Sequence, residues 1–316
     1  MDDIFFTIGH QNQPISDADF DYALLGAAEV ELPKSFSVEI PFYLNQKKID
    51  ACAGMGAATA KSIQDGVQLS PRILWGLAKK ADDYIYWGTS FQQIMKQLQT
   101  IGALPYGTID ESTDVDREQY MRFELTPEQL EEAKKYRGLS YWRPRSSELT
   151  KQALYEQRIP LVVYCDWWTS YNYPVDGWLP KPTGKMVGGH LFVRKGWDVD
   201  AQGREYTKFR NSWSKNWGKD GDFYIYTDEL YSYGIGSSYV IVDMPVEQAK
   251  IINAYDGKLV KNADKSDTYF VKAGKIIAIQ NEPMFNLGRA AGFWGDWKDI
   301  ITIEQVIKPD YVIKLV

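Results

Sequence analysis

The chain has 316 residues, of which 44% are hydrophobic and 25% charged, and these values are typical of globular proteins. This length favours a main domain accompanied by a smaller one. The formal net charge of −6 argues against nucleic acid or an anionic membrane as the principal partner. The sequence has no stretch long and apolar enough to span a membrane, and its N-terminus lacks the pattern of a signal peptide.

Helical patterns dominate the first half of the chain. Apolar residues at helical spacing and capping residues at the segment ends define them. Ser70-Pro71 opens one helix, and Thr89 or Ser90 caps the next. The predicted helices cover residues 52–66, 72–86 and 91–101, and a further one begins at Thr126.

Strand patterns replace the helical ones beyond Pro160, and the sequence therefore predicts a helical lobe followed by a sheet lobe. The predicted strands are 161–165, 189–197, 206–211 and 223–226. A cleft between two such lobes is a usual place for a functional site.

The composition changes again near Met244-Pro245. A hairpin pattern follows, with strands at 268–271 and 276–279 on either side of a glycine-containing turn. We therefore expect three parts in the chain. They are an N-terminal lead-in at 1–30, a main domain at 31–245 and a small β-rich accessory domain at 246–316.

Cys52 is the first candidate for chemistry, because it stands at the predicted start of a helix. A helix N-terminus carries partial positive charge, which favours a thiolate over a thiol. Gly54 and Gly56 inside this helix indicate that a neighbour packs closely against it. The second cysteine, Cys165, lies in an apolar strand pattern and is expected to be a core residue.

A thiol nucleophile needs a base, and the base needs a partner that orients it. The chain has two histidines, and His190 heads an apolar strand 138 residues beyond Cys52 (190 − 52). Asn211 follows in an Asn-Ser-Trp block, and Gln46 precedes the cysteine by six residues. Each residue taken alone is more often structural, but together and in this order they form a consistent set. His10 is expected to be structural or exposed.

In type and order, these residues resemble the papain-like cysteine peptidases, the family of papain and the cathepsins. Gln46, Cys52, His190 and Asn211 match the family order Gln, Cys, His, Asn. The Asn-Ser-Trp block, with the Trp-Gly and Gly that follow it, is the most specific part. The resemblance covers about residues 30–245. It implies an α+β, papain-like two-lobe fold with a helical lobe, an antiparallel β lobe and a cleft between them.

The resemblance also implies an activity, that of a cysteine endopeptidase working through a thioester acyl-enzyme without metal or cofactor. It makes Cys52 the nucleophile, His190 the general base and later acid, and Asn211 the residue that fixes the imidazole. Gln46 and the Cys52 backbone N–H would stabilise the oxyanion. Trp213 would shield the histidine–asparagine contact. The expected partner is a peptide or protein substrate.

Asp50 departs from the family pattern, which usually has glycine at this position. A carboxylate there would narrow the cleft, select basic substrates or raise the pKa of the thiol. The alternative interpretation is therefore a papain-fold protein of little or no activity, with a binding or structural role such as virion assembly. A third interpretation, another Cys-His amide hydrolase or acyltransferase acting on cell-wall peptide, does not explain Gln46 together with the Asn-Ser-Trp block.

The small C-terminal domain loosely resembles β modules attached to cell-envelope and phage proteins. We expect it either to bind a protein or cell-envelope partner or to serve as a structural cap. Since the N-terminus does not resemble a signal peptide, the expected location is cytoplasmic or virion-associated.

Overall fold

The structure is a computed structural model that describes residues 20–25, 31–83, 85–244, 246–263, 267–272, 275–303, 307–308 and 312–313. The helices are α1 (Cys52–Asp65), α2 (Pro71–Ala81), α3 (Phe91–Thr100), α4 (Arg117–Met121), α5 (Pro127–Ala133), α6 (Ser147–Gln157), α7 (Val246–Tyr255) and α8 (Glu282–Ala290). The strands are β1 (Phe20–Asp21), β2 (Phe36–Ser37), β3 (Ser140–Arg143), β4 (Leu161–Trp168), β5 (Met186–Val199), β6 (Glu205–Arg210), β7 (Asp222–Tyr226), β8 (Ile235–Val242), β9 (Lys258–Asn262), β10 (Thr268–Lys272), β11 (Lys275–Ile279), β12 (Ile301–Ile303) and β13 (Val312–Ile313). His10 and most of the predicted lead-in lie outside the described residues.

The chain divides into two compact units. Within the described residues, one comprises 31–243 and the other comprises 244–316 together with 20–25. The predicted domain boundaries at 30/31 and 245/246 stay predictions. None of the described helices is both long and apolar enough to cross a lipid bilayer.

The first unit is built on an antiparallel sheet in the strand order β3-β8-β4-β5-β6-β7, with β2 paired to β5. The four strands that the sequence predicts correspond to β4, β5, β6 and β7. In the strand order from β3 to β7, the strands β3 and β8 were not predicted. Strand β3 has four residues, and β8 begins with Ile-Gly-Ser-Ser, so neither shows a long apolar alternation.

Helix α1 packs against the sheet and against α2 through its small residues. A Cβ atom on Gly54 would lie 2.7 Å from both the carbonyl oxygen of Pro71 and the Cβ of Trp75. A Cβ on Gly56 would meet nothing closer than 3.4 Å, from a methyl group of Val162 on β4. The prediction that this helix is buried and closely packed is confirmed, and Gly66 ends it in the left-handed conformation with φ = 67°.

Short-range capping sets the starts of the next two helices. The Ser70 hydroxyl accepts a hydrogen bond from the N–H of Ile73 at 3.0 Å, and the Ser90 hydroxyl accepts one from Gln93 at 3.1 Å. The predicted end of the second helix at residue 86 is wrong, because α2 stops at Ala81. The next residue, Asp82, has an extended backbone, and its carboxylate accepts from Lys79 and Thr89.

The second unit contains a sheet in the order β12-β9-β10-β11-β13. Strands β10 and β11 pair antiparallel, which confirms the predicted hairpin, and its turn residues 273–274 lie outside the described residues. The apolar side chains of Leu259, Phe270 and Phe285 form a buried cluster in this unit. Asn281 caps α8 by accepting a hydrogen bond from the N–H of Met284 at 2.9 Å.

We predict that Gly54→Ala lowers the free energy of unfolding by about 1–3 kcal/mol, because the new methyl group overlaps backbone and side-chain atoms that cannot easily move. In an open helix the same change would stabilise by about 1 kcal/mol. Gly56→Ala is the matched control on the same helix, since its methyl group makes only ordinary contacts. Urea denaturation of both variants measures the difference, and equal effects would contradict the packing argument.

Candidate active site

Cys52 is the first residue of α1, as the sequence predicts. The preceding Ala51 has φ = −96° and ψ = 16°, and it provides no side-chain cap. The helix N–H groups at this end therefore have no side-chain oxygen from the cap residue. Cys52 has no exposed surface and belongs to the apolar cluster that contains Leu191, the neighbour of His190 on β5.

His190 lies on β5, and its ring nitrogen Nε2 is 2.8 Å from Oδ1 of Asn211. The backbone N–H of Ser212 also donates to that same amide oxygen, at 2.8 Å. An atom that accepts from a backbone N–H is an oxygen, so the orientation of the Asn211 amide is determined. A neutral His190 therefore carries its proton on Nε2. The other nitrogen, Nδ1, is buried and has no hydrogen-bond partner among the described residues, which leaves it able to accept a proton.

Gln46 is joined to the same group through Ser212. The Ser212 hydroxyl donates to the Gln46 side-chain oxygen at 2.6 Å, and the Gln46 backbone N–H donates to the Ser212 carbonyl at 2.9 Å. One amide N–H of Gln46 is donated to the carbonyl of Ile49 at 3.1 Å. These contacts close the turn that leads into α1 and join it to the end of β6.

Aromatic rings enclose the imidazole of His190. The Trp167 ring lies 4.8 Å away at an interplanar angle of 74°, and the Trp213 ring lies 5.1 Å away at 32°. The histidine has no exposed surface. This burial lowers the pKa of His190 to about 4, because a charged imidazolium would lose its hydration, and the Asn211 hydrogen bond opposes the shift.

Asp50, the residue that departs from the family pattern, is held by an ion pair. Its Oδ2 lies 2.7 Å from Nε of Arg117, the first residue of α4. The contact is an ion pair and not an aligned hydrogen bond. The Asp50 side chain is 8% exposed and that of Arg117 is 34% exposed. The carboxylate therefore has a compensating cation, and this reduces the repulsion that it would exert on a thiolate two residues away.

Cys165 behaves as the sequence predicts for a core residue. It is fully buried, and its sulfur lies 3.2 Å from the carbonyl oxygen of Asp166 and 3.4 Å from that of Tyr233. Burial raises the pKa of its thiol well above the ordinary value, so it stays protonated at neutral pH. Neither cysteine forms a disulfide. The described residues contain no group of three or more His, Cys, Asp or Glu that could hold a metal ion.

The structure thus links three of the four predicted site residues, Gln46, His190 and Asn211, by hydrogen bonds through Ser212. The fourth, Cys52, begins the helix that packs against the same sheet. The sequence analysis assigned no function to Ser212, Trp167 or Arg117. Ser212 stands inside the Asn-Ser-Trp block, which is a usable signal, whereas nothing local in sequence links Trp167 or Arg117 to the site.

Comparison with known proteins identifies the family. The sequence pattern described as "Papain family cysteine protease" matches residues 83–242, which is just over half of the chain. The chain belongs to the papain family of cysteine proteases. The matched segment includes His190 and Asn211 and begins after Gln46 and Cys52. No curated protein sequence gives a significant match.

Solved structures show the same fold. Xylellain, a cysteine protease from Xylella fastidiosa, superposes with a TM-score of 0.63 at 21% identity, covering 76% of this chain and 97% of that one. Digestive procathepsin L 3 of the Tenebrio molitor larval midgut gives a TM-score of 0.58 at 15% identity, covering 72% of this chain and 74% of that one. Procathepsin B S9 from Trypanosoma congolense gives a TM-score of 0.54 at 20% identity, covering 75% of this chain and 86% of that one. The expected α+β, papain-like fold is confirmed.

We predict that His190 makes the protein less stable in acid. Above pH 6.5 the residue is neutral in both the folded and the unfolded state, so it has no effect. Between pH 6.5 and about 4 the unfolded chain binds a proton that the folded chain does not. Stability therefore falls through this window, and the loss levels off at about 3 kcal/mol below it.

His190→Gln removes this contribution. Urea denaturation of both proteins at several pH values from 7 to 4 measures it, with the variant showing the shallower decline. Parallel stability curves would show that the imidazole is not buried as described.

We predict that Arg117→Gln slows the alkylation of Cys52 by iodoacetamide about tenfold at neutral pH, because the Asp50 carboxylate loses this counter-ion and repels the thiolate more strongly. The double variant Asp50→Asn with Arg117→Gln should recover the original rate. Charged groups around the same loop that stay unchanged are Lys48, Asp116 and Glu118. Equal rates in the single and double variants would mean that this ion pair has no influence on the thiol.

Proposed function

We propose that the protein is a cysteine endopeptidase that cleaves peptide bonds through Cys52, His190, Asn211 and Gln46. The observation that carries the proposal is the hydrogen bond from His190 Nε2 to Asn211 Oδ1 at 2.8 Å. It assigns the proton to Nε2 and leaves Nδ1 as the basic nitrogen. Membership of the papain family supports the same assignment.

In the proposed reaction the Cys52 thiol gives its proton to Nδ1 of His190, and the sulfur attacks the carbonyl carbon of the scissile bond. The negative charge that develops on the carbonyl oxygen is stabilised by the Gln46 amide and the Cys52 backbone N–H at the start of α1. The imidazolium then gives its proton to the departing amine as the carbon–nitrogen bond breaks. The acyl group remains on sulfur as a thioester.

Water completes the cycle. His190 takes a proton from a water molecule, whose oxygen attacks the thioester carbonyl carbon. The carbon–sulfur bond breaks, the thiolate leaves and receives the proton back from the imidazolium, and the carboxylic acid product is released. Neither a metal nor a redox partner enters this proposal, and the substrate is a peptide or protein.

The buried state of the site adds a step to this proposal. Cys52 and His190 have no exposed surface, so a peptide carbonyl cannot reach the sulfur without a local opening. Opening also rehydrates the imidazole, which removes part of the desolvation that lowers the pKa of His190. A protonated His190 is therefore easier to form in the open state, where the chemistry takes place.

We predict that Cys52→Ala abolishes hydrolysis of a fluorescently labelled casein, a loss of at least about 10³-fold, while the circular dichroism spectrum is unchanged. Cys165→Ala is the matched control, since that thiol lies in the core and keeps its proton. Asn211→Ala should lower kcat by about 10²-fold, because the imidazole loses the contact that fixes its tautomer. Cleavage that survives Cys52→Ala would refute the proposal, and a wild-type protein without any turnover would favour a binding role.

A further inference from the structure

Buried cations in the first unit generally have oxygen partners. Lys61 contacts the carboxylate of Asp65 at 2.7 Å, and Arg210 donates to the carboxylate of Asp222. Arg72 donates to several backbone carbonyl oxygens. These contacts follow the general requirement that a cation removed from water be paired or hydrogen-bonded.

Arg194 on β5 departs from this rule. It is 3% exposed, and its Nε and Nη2 atoms have no hydrogen-bond partner among the described residues. The carboxylate of Glu205 acts on it electrostatically, but this carboxylate is already paired with Lys151 at 2.9 Å. Two of the three guanidinium nitrogens are thus buried donors that lack acceptors among the described residues.

This guanidinium lines a cavity of about 690 Å³ with a positive lining. Arg143 and Arg145 line the same cavity, and the Nη1 atom of Arg143 is also buried without a hydrogen-bond partner among the described residues. The carboxylate of Asp228 also lines the cavity, and it is paired with Arg204 at 2.9 Å.

The N-terminus of α6 meets the same cavity through Ser146 and Ser147. Ser146 caps this 11-residue helix by accepting a hydrogen bond from the N–H of Leu149 at 3.1 Å. The cap leaves other first-turn N–H groups for an external acceptor, and Glu148 in that turn is the acidic residue that would oppose an anion.

We propose that this cavity binds a phosphate-type dianion, held by Arg194, Arg143 and the N-terminus of α6. Guanidinium groups match the oxygens of a tetrahedral anion with two donors each, and a helix N-terminus adds backbone donors. The cavity exceeds the size of a single phosphate group, so it has room for a small phosphate monoester whose organic part contacts Leu230 and Tyr231.

The electrostatics of Arg194 agree with this assignment. Burial lowers its pKa to about 10, and the charge of Glu205 opposes the shift. The group is still a cation at neutral pH, and a bound dianion would offset its desolvation. The site is independent of the peptidase proposal, because none of these residues belongs to the candidate active site.

The test measures binding of inorganic phosphate, inorganic sulfate and glycerol phosphate to the full chain in Tris-chloride buffer at constant ionic strength. Isothermal titration calorimetry gives Kd, and the shift in Tm gives an independent readout. We expect Arg194→Met to weaken binding at least about tenfold and to abolish the Tm shift. Arg143→Gln should weaken binding too, and it tests the site even if Arg194→Met does not fold.

Arg289→Gln is the control, because Arg289 is an exposed arginine of the second unit, 3.5 Å from Asp296. It should bind like the wild type. Phosphate and sulfate also stabilise proteins non-specifically, so only a shift that depends on Arg194 or Arg143 counts. If inorganic phosphate binds, the ligand is the free ion. If glycerol phosphate alone binds, the ligand is a phosphate monoester. If none of the three anions binds, or if all variants respond equally, the guanidinium is satisfied by water and the proposal is wrong.

Discussion

One amide oxygen, Oδ1 of Asn211, fixes the geometry of the candidate site. It accepts from His190 Nε2 and from the Ser212 backbone N–H, both at 2.8 Å. The second of these bonds orients the amide, and the first then assigns the histidine tautomer. Ser212 also binds Gln46, so a single residue positions both the base and the oxyanion donor of the proposed reaction. The contact therefore couples the end of β6, the strand β5 and the turn before α1.

Burial strengthens the hydrogen bond between His190 and Asn211, and it also limits the acid–base chemistry of His190. Enclosure by Trp167 and Trp213 excludes water, and a hydrogen bond in such a setting is stronger than one exposed to solvent. The same enclosure lowers the pKa of His190 to about 4, far below the value near neutrality at which an acid–base group works best. In the closed arrangement His190 therefore stays a neutral base at neutral pH. In the proposed reaction, proton transfer takes place in the locally open state that substrate access also requires.

The sequence suggested the candidate site residues because they follow the order of a known family, and it revealed helix starts because capping is local. Ser90 and Gly66 act within one helical turn, so their effect is visible in the sequence. Contacts between distant segments were not visible. Ser212 meets Gln46 across 166 residues, and no local pattern encodes that distance. Strand β8 was missed for the same reason, since its Gly-Ser-Ser start becomes a strand only through its neighbours in the sheet.

Asp50 departs from the family pattern, and the effect expected of it from the sequence changes once its contacts in the structure are known. From the sequence, its carboxylate was expected to narrow the cleft, to select basic substrates or to disfavour the thiolate. The structure supplies Arg117, the first residue of α4, as its counter-ion. The repulsive effect on the thiolate is thereby reduced, and the residue at this position forms an ion pair between the turn before α1 and the start of α4.

On strand β5, the buried basic groups His190 and Arg194 lie four residues or about 13 Å apart along the strand. Burial disfavours the charged form of each, but the consequences differ. The imidazole loses its proton and becomes a neutral base with a single defined hydrogen bond. A guanidinium remains charged even after burial, so its desolvation has to be offset by acceptors. Arg194 lines a positively charged cavity and lacks such acceptors among the described residues, and an oxyanion would supply them.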